Sequence, residues 1–432
     1  MSATPQTETT HAGDGVSIRR FANGLTLLVE TVPGVRSAAM ALLLPGGCIY
    51  EPVGLGGTAS LLSDLITRGA GDRDSRQLSD TLDGLGVQRS EAAGWSHLSL
   101  SAVMVADRLP EVLPIYADIA RRPHLPEAEY DPALDGLRQG LQSIEDDPQQ
   151  KIGIELRRRI YADPWGRPND GQLSDLARIS HAAVDRHYRT AVGPTEAILT
   201  VAGAVEFEAV SDQVEALFGD WQPHVLPVVK NGPRGPLRDH LTIDSTQTHI
   251  GLAYDTVPYR SDDFYSAWAA VSILGGGSSS RLFTHVREHR GLCYSIYAST
   301  STSETAGRVI VYAGTTKDRA QETLDVTCEQ IAALADGLEE DELDRCKAQA
   351  KSSLVMQQES TSARAVSLAK DWRHLGRFRP LEEIRDKIEA LTVPQLREHL
   401  EQTGFGNFTL LTLGQEALRL QSSEFRQERG SG

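Results

Sequence analysis

The sequence has little cysteine, the residue that stabilises many extracellular proteins through disulfide bonds. Only four cysteines occur in 432 residues, and none belongs to a C-x-x-C pair: Cys48, Cys293, Cys328 and Cys346. Such scattered cysteines argue against a disulfide framework or a structural zinc site and favour a reducing compartment. Cys293 begins an apolar segment and is expected to be a small core residue.

Long apolar runs are also missing. No run reaches the ~18 apolar residues that indicate a transmembrane helix. The N-terminal segment is polar and rich in threonine, without the apolar core of a secretory signal or the arginines of a transit peptide. We therefore expect residues 1–14 to be disordered, residues 417–432 to form a polar tail, and the protein to be cytoplasmic.

Positive charge is in deficit. Asp and Glu number 59 against 43 Lys and Arg, which gives a formal net charge of −16. Nucleic acids and anionic membranes do not attract such a chain electrostatically, so neither is an expected partner. A hydrophobic fraction of 40% and a charged fraction of 24% are typical of a globular protein.

The order of predicted elements repeats once along the chain. Thr200–Gly203, near the end of the first half, matches Leu411–Gly414 near the end of the second. The segment from 223 to 236, with four prolines and two glycines, separates the halves. We predict an α+β protein with two homologous α/β-roll domains in tandem, each a mixed or antiparallel sheet packed against helices. The predicted ranges are 15–222 for the first domain, 223–238 for the linker and 239–416 for the second domain.

A glycine-rich loop opens the most informative stretch of the second half. Gly275, Gly276 and Gly277 precede three serines and an amphipathic helix, which a glycine turn connects to a strand. Because glycine has no side-chain bulk, the loop would let a substrate backbone approach closely. The alternative is a loop that only ends a helix.

The helix after this loop contains the string H-x-x-E-H, formed by His285, Glu288 and His289. Two histidines at i and i+4 lie on one side of an α-helix, as two zinc ligands require. The sequence does not define a third ligand, although Glu359 is available. By the internal repeat, this helix corresponds to Ser75–Leu85, the second helix of the first half.

Four short motifs, in order along residues 15–414, carry a family resemblance: Gly56-Gly57-Thr58-Ala59, Glu145-Asp146-Asp147-Pro148, Pro164-Trp165-Gly166-Arg167-Pro168, and Leu274-Gly275-Gly276-Gly277 through Tyr294-Ser295. Together they resemble the pitrilysin/insulinase-type zinc metallopeptidases, in the branch that includes mitochondrial processing peptidase. The resemblance implies that this chain is half of a clamshell-shaped peptidase.

The family's zinc motif is degenerate in this chain. In active members, the helix after Gly-Thr-Ala carries H-x-x-E-H, whose histidines bind zinc and whose glutamate activates the bound water. Here Ser60, Ser63 and Asp64 stand at these positions, and the further glutamate ligand of a later helix falls at Gln139-Gly140. Because serine is a poor zinc ligand and one aspartate cannot hold the ion, we expect no metal in this chain.

The second half keeps an arginine and a tyrosine that resemble the family's V-R-E-x-x-G-L-x-Y stretch. Arg287 and Tyr294 match these positions. In the family they reach the substrate beside the zinc, where a guanidinium and a phenol can donate hydrogen bonds to a peptide carbonyl. The alternative is a surface ion pair for Arg287 and strand packing for Tyr294.

The resemblance implies a non-catalytic, substrate-binding subunit of a heterodimeric zinc metallopeptidase that acts on peptides or unfolded polypeptides. A homologous partner would bring the zinc, and this chain would supply Arg287 and Tyr294 and be inactive alone. Two alternatives stay open. One is an autonomous zinc peptidase that uses His285, Glu288 and His289. The other is a structural scaffold, similar to family members built into respiratory complexes.

Overall fold

The computed structural model describes residues 8–11 and 15–421. Within these residues the strands are β1 (Glu8–His11), β2 (Val16–Arg20), β3 (Thr26–Thr31), β4 (Ser37–Pro45), β5 (Gln88–Ala93), β6 (His97–Val105), β7 (Ile198–Gly203), β8 (Arg238–Thr242), β9 (Gln247–Thr256), β10 (Cys293–Thr302), β11 (Gly307–Thr316) and β12 (Thr409–Gly414). The α-helices are α1 (Thr58–Leu65), α2 (Ser75–Gly84), α3 (Leu109–Arg121), α4 (Tyr130–Glu145), α5 (Pro148–Ile160), α6 (Leu173–Leu176), α7 (His181–Ala191), α8 (Phe207–Phe218), α9 (Phe264–Gly275), α10 (Ala320–Ala332), α11 (Glu340–Gln358), α12 (Thr361–Leu375), α13 (Leu381–Glu389) and α14 (Val393–Thr403). A π-helix spans Phe283–His289.

The first compact unit contains residues up to Ser143, together with Arg167–Asn231 and Met356–Pro380. Its seven-stranded sheet has the order β1-β2-β3-β7-β4-β6-β5. The β3–β7 pair is parallel and the other pairs are antiparallel. Strand β4 is buried along most of its length, as its nearly continuous apolar run predicts for a central strand.

The second compact unit contains Ile144–Gly166, Gly232–Val355 and the residues from Leu381 onward. Its five-stranded sheet has the order β10-β11-β9-β12-β8. The β12–β8 pair is parallel and the other pairs are antiparallel. Its core contains apolar side chains of β9, β10 and β11 together with those of helices α9, α10 and α14.

The two sheets repeat one topology. The run β3-β7-β4-β6-β5 of the first unit has the same order as β8-β12-β9-β11-β10 of the second, with the parallel pair in the same place. The matched segments Thr200–Gly203 and Leu411–Gly414 form corresponding strands, β7 and β12. The predicted α+β class with two homologous domains is therefore confirmed. In this repeat the π-helix corresponds to α2. Helix α2 is the second of the two α-helices between β4 and β5, and the π-helix follows α9 between the corresponding strands β9 and β10.

Each unit takes one helix from the other half of the chain. Helix α5 packs on β9 and β12, and a β-carbon added to Gly251 would lie 3.3 Å from the Leu156 side chain. Helix α12 packs on β4 and β7, where the Thr200 hydroxyl donates a 2.8 Å hydrogen bond to the Ala365 carbonyl. The compact units are therefore discontinuous in sequence, whereas the domains predicted from the sequence are the contiguous ranges 15–222 and 239–416.

The N-terminal segment differs from the expected disorder. Glu8–His11 forms a strand that pairs antiparallel with β2, with Thr10 opposite Ile18. Residues 1–7 and 12–14 of the predicted disordered segment, and residues 422–432 of the predicted polar tail, lie outside the described residues. Among the helices of the described ranges, none has both the length and the apolar content needed to cross a bilayer.

Candidate functional site

Helix α1 begins without a side-chain cap on its N-cap residue. Gly57 occupies that position with a left-handed φ of 108°, which favours glycine. The cap comes instead from Glu51, whose Oε1 accepts hydrogen bonds from the backbone N–H of Gly57 (3.1 Å) and of Ala59 (2.8 Å). A carboxyl group upstream of the helix therefore accepts from two buried N–H groups at the N-terminus of α1.

Glu51 has the most perturbed carboxyl group near this helix. Burial raises its pKa to about 8, although the two backbone hydrogen bonds and Arg167 oppose the shift; Asp175 adds to it. The second oxygen, Oε2, is buried and accepts no hydrogen bond within the described part of the chain. Sequence reasoning missed this residue. The available signal was an acidic residue shortly before a helix whose N-cap is glycine.

The degenerate zinc positions on α1 are bonded within the protein. The Ser60 hydroxyl donates to Asp170 Oδ1 at 3.0 Å, and the Ser63 hydroxyl donates to the Ser60 carbonyl at 2.8 Å. Asp64 forms a two-point ion pair with Arg68, in which Nε lies 2.8 Å from Oδ1 and Nη2 lies 2.9 Å from Oδ2. The polar side-chain atoms at these three positions are therefore engaged in hydrogen bonds or an ion pair within the protein.

The remaining position of the degenerate site, Gly140, lies on α4 and supplies no ligand atom. A β-carbon there would meet nothing within 4 Å. Arg68 also donates to Glu129 at 2.7 Å, so its guanidinium is shared between the carboxylates of Asp64 and Glu129. The residues present at this site do not fit a zinc ion. Across residues 8–11 and 15–421, no group of three or more His, Cys, Asp or Glu side chains is placed to hold a metal.

The three glycines of the loop in the second unit differ in how closely other atoms approach them. A β-carbon on Gly275 would lie 2.3 Å from the backbone nitrogen of Ala298 on β10. A β-carbon on Gly276 would lie 2.9 Å from Ser272 Cα, whereas one on Gly277 would meet nothing within 4 Å. Gly275 is therefore required for close packing of α9 against β10, and Gly277 is the position with room beside it.

The helix with the H-x-x-E-H string is a π-helix and not the expected regular amphipathic helix. The rings of His285 and His289 meet edge to face, with centroids 5.5 Å apart and planes at 87°. Both histidines and Glu288 are exposed. Single π-turns are rare and occur frequently at functional sites, so this backbone conformation makes the segment a candidate functional site. It does not by itself make the two histidines a metal site.

Arg287 lies between two aromatic rings. Its Cζ is 4.6 Å from the centroid of the Phe283 ring and 5.4 Å from that of the Tyr294 ring. Cation–π contacts of this kind hold a guanidinium in place while its N–H donors stay available. The sequence identified Arg287 and Tyr294 but missed Phe283, which lies one turn before Arg287.

Tyr294 projects from a β-bulge. The pairing of β10 with β11 shifts between Cys293, opposite Thr315, and Ser295, opposite Gly314, so Tyr294 is the extra residue. Its side chain is 84% exposed. The neighbouring Cys293 is buried, and burial raises the pKa of its thiol to about 11, as expected for a core cysteine.

The Arg287–Tyr294 pair can act as a donor site. A guanidinium fixed between rings and an exposed phenol next to it present N–H and O–H groups that suit a carbonyl or carboxylate oxygen. Neither side chain can activate water by itself in the way that a metal does. The arrangement therefore suits the binding of a polar substrate group.

Comparisons with known proteins agree with this geometry. The family profile "Insulinase (Peptidase family M16)" matches residues 26–168, and "Peptidase M16 inactive domain" matches residues 178–350. An uncharacterized zinc protease of Rickettsia felis is 26% identical over 385 residues, which are 87% of this chain and 92% of that protein. The uncharacterized zinc protease YmxG of Bacillus subtilis is 25% identical over 385 residues, covering 88% and 94%.

A solved structure shares the fold. The crystal structure of a peptidase M16 inactive domain from Pseudomonas fluorescens superposes with a TM-score of 0.85 at 20% identity, over 94% of this chain and 99% of that chain. Both halves of this chain thus match the family, one as its insulinase domain and one as its inactive domain. The protein belongs to the insulinase family of peptidases, family M16, and lacks the family's zinc motif.

Proposed function

We propose that this protein is the non-catalytic, substrate-binding subunit of a heterodimeric zinc metallopeptidase that acts on peptides or unfolded polypeptides. The observation that supports this most directly is the contrast between two sets of side chains. Ser60, Ser63 and Asp64 are bonded internally, whereas Arg287 is fixed between two rings beside an exposed Tyr294. A chain that kept only a scaffold role would have no need for an exposed donor pair.

The proposed partner is a homologous subunit with an intact H-x-x-E-H helix. The partner would hold zinc and carry out hydrolysis. In this division of labour, Arg287 and Tyr294 donate hydrogen bonds to the carbonyl oxygen of the bound peptide. Such donors stabilise the negative charge that develops on this oxygen during hydrolysis. The open space beside Gly277 gives a peptide backbone room to approach.

Reconstitution with the partner tests this function. We expect the purified chain alone to bind no stoichiometric zinc and to cleave no peptide, and activity to appear when the H-x-x-E-H partner is added. Loss of one oxyanion donor typically costs about 10²–10³-fold in kcat, so Arg287→Ala and Tyr294→Phe should each lower activity by about this factor. Peptide hydrolysis and metal analysis of the co-purified complex are the measurements.

Two matched variants control for general damage. Arg290→Ala removes an exposed arginine just after the π-helix, and Tyr297→Phe removes a partly exposed phenol from the same strand as Tyr294. Both should keep near-normal activity. Near-stoichiometric zinc in the isolated chain, lost in His285→Ala, would favour the autonomous peptidase instead. Full activity of both Arg287→Ala and Tyr294→Phe complexes would favour a structural scaffold.

A further inference from the structure

Arginines of this protein repeatedly bind carboxylates through one edge of the guanidinium, formed by Nε and Nη2. In Arg281 these atoms lie 2.7 Å and 2.6 Å from the two oxygens of Glu342. In Arg379 they lie 3.0 Å and 2.7 Å from the two oxygens of Asp371. This side-on fork matches the spacing of two oxygens on one carboxylate or phosphate group.

Arg234, in the second unit, has the same edge without an acceptor. Its Nε and Nη2 are both buried, and neither donates a hydrogen bond within the described residues. The third nitrogen, Nη1, lies 3.6 Å from Asp255 Oδ1, and the whole side chain is 23% exposed. Buried N–H donors are nearly always paired with protein, water or an ion, so two on one edge require an explanation.

Neighbouring groups add to the positive charge. Arg308 Nε lies 3.3 Å from the same Asp255 oxygen, so one carboxylate faces two guanidinium groups. The other Asp255 oxygen accepts a 2.6 Å hydrogen bond from Asn407. Burial lowers the pKa of Arg234, and the adjacent Arg308 lowers it further, although Asp255 opposes the shift. Asp255 therefore does not neutralise both arginines.

The backbone around Arg234 is fixed on both sides. The Gly232 N–H donates to the Asp163 carbonyl at 2.7 Å, and the Asp163 N–H donates to the Pro233 carbonyl at 3.2 Å. A β-carbon on Gly235 would lie only 2.8 Å from Arg159 Cα. These contacts fix the backbone from which the Arg234 side chain extends.

The second arginine is also restrained. Arg308 Nε donates to the Ile160 carbonyl at 3.1 Å, and its Nη1 donates to the Gly307 carbonyl at 2.6 Å. Its guanidinium also lies over the ring of Tyr161, with Cζ 5.4 Å from the centroid. The two cations are thus held close together by the fold.

We propose that Arg234 and Arg308 bind an oxyanion with two adjacent oxygens, either a carboxylate or a phosphate group. The free Nε–Nη2 edge of Arg234 would contact both oxygens, and Arg308 would add charge. This site does not include Arg287, Tyr294 or the glycine loop, so it is independent of the proposed subunit role. The group could come from free inorganic phosphate or from the C-terminal carboxylate of a peptide.

Thermal unfolding of the full chain tests for the site. We expect phosphate to raise the Tm by about 3 °C or more relative to chloride at equal ionic strength, because a ligand that binds only the folded state stabilises it. Arg234→Gln should abolish this rise. Arg234→Lys, which keeps the charge but loses the fork, should retain less than half of it. Arg260→Gln, which removes a partly exposed arginine paired with Glu304, should leave it unchanged.

Two further measurements identify the ligand and show whether a variant that loses the Tm rise is still folded. Isothermal titration with a peptide as its free acid and as its C-terminal amide separates a peptide carboxylate from free phosphate, because only the acid should compete with phosphate. In chloride, Arg234→Gln should unfold within about 2 °C of the unmodified chain, since it removes donors that lack acceptors. If it does not fold, Arg308→Gln replaces it. Equal Tm values in phosphate and chloride, or a rise kept by both glutamine variants, would overturn the proposal.

Discussion

The two units share one sheet topology but use it differently. In the first unit, a regular helix, α1, carries the positions that bind zinc in active family members, and its side chains are bonded to their neighbours. In the second unit, a π-helix and a β-bulge present Arg287 and Tyr294. The repeated topology therefore does not determine the chemistry. Arg287 and Tyr294, the side chains to which we assign substrate binding, lie where the backbone departs from regular geometry.

The first unit has lost its metal-binding positions but keeps the structure that supports their helix. Glu51 caps α1 from a buried position, and Gly57 supplies the left-handed turn before it. The first unit thus has a buried acid at the start of α1, a helix whose zinc-motif positions are occupied by two serines and an aspartate. The second unit shows the reverse, with an exposed donor pair on local irregularities. Substitutions at Glu51, in the glycine loop and at Asp64 test this difference between the units.

The largest effect is expected at Glu51. Its pKa is about 8 in the folded protein against an ordinary value of 4.5, so between these pH values the folded state binds a proton that the unfolded state releases. The contribution of this group to the free energy of unfolding is therefore present below about pH 4.5 and is lost as pH rises through 8, by about 3–5 kcal/mol in total. Glu51→Gln keeps the shape without this ionisation.

Urea unfolding at several pH values between 5 and 9 measures this effect. The stability of Glu51→Gln relative to the unmodified protein should increase with pH up to about 8 and level off above that pH. Glu127→Gln, at an exposed position, is the matched control and should show no such trend. A pH-independent difference between Glu51→Gln and the unmodified protein would mean that Glu51 is ionised in the folded state at neutral pH.

An intermediate effect is expected in the glycine loop. A β-carbon at Gly275 would lie 2.3 Å from the Ala298 nitrogen, so Gly275→Ala must push α9 away from β10. Overpacking of this kind costs about 1–3 kcal/mol. Gly277→Ala, where a β-carbon meets nothing within 4 Å, should change stability little. Chemical denaturation of the two variants provides the comparison, and equal stabilities would contradict a packing role for Gly275.

The sequence predicted features that depend on patterning over many residues. The repeat, the α+β class and the buried central strand β4 follow from periodicity and from matched segments such as Thr200–Gly203 and Leu411–Gly414. The helix exchange was not predictable, because neither α5 nor α12 carries a mark of the sheet on which it packs. Nor was the strand Glu8–His11, whose polar residues give no strand pattern and which forms through pairing with β2.

At the site, the sequence identified residue types but not backbone conformation. Arg287 and Tyr294 were found through a motif, whereas the π-helix and the bulge, next to the buried side chains of Val286 and Cys293, have no such signal in the sequence. The perturbed pKa of Glu51 and the free edge of Arg234 depend on tertiary burial, which no local pattern encodes. Both depend on the groups that surround a charged side chain in the folded protein, and local sequence does not specify those groups.

The smallest effect is expected at Asp64, one of the former zinc positions. Its ion pair with Arg68 is largely solvated, with side-chain exposures of 44% for Asp64 and 26% for Arg68. An i,i+4 pair of this kind contributes about 0.3–0.5 kcal/mol, so Asp64→Asn should lower the free energy of unfolding by no more than that. The pair between Arg281 and Glu342 in the second unit is 11% and 14% exposed, and Glu342→Gln should cost about 3 kcal/mol because it removes the only carboxylate paired with this buried guanidinium in the described part of the chain. Urea unfolding of both variants compares the two pairs. A cost at Asp64 as large as that at Glu342 would show that the former zinc position has acquired a structural role of its own, beyond a surface ion pair.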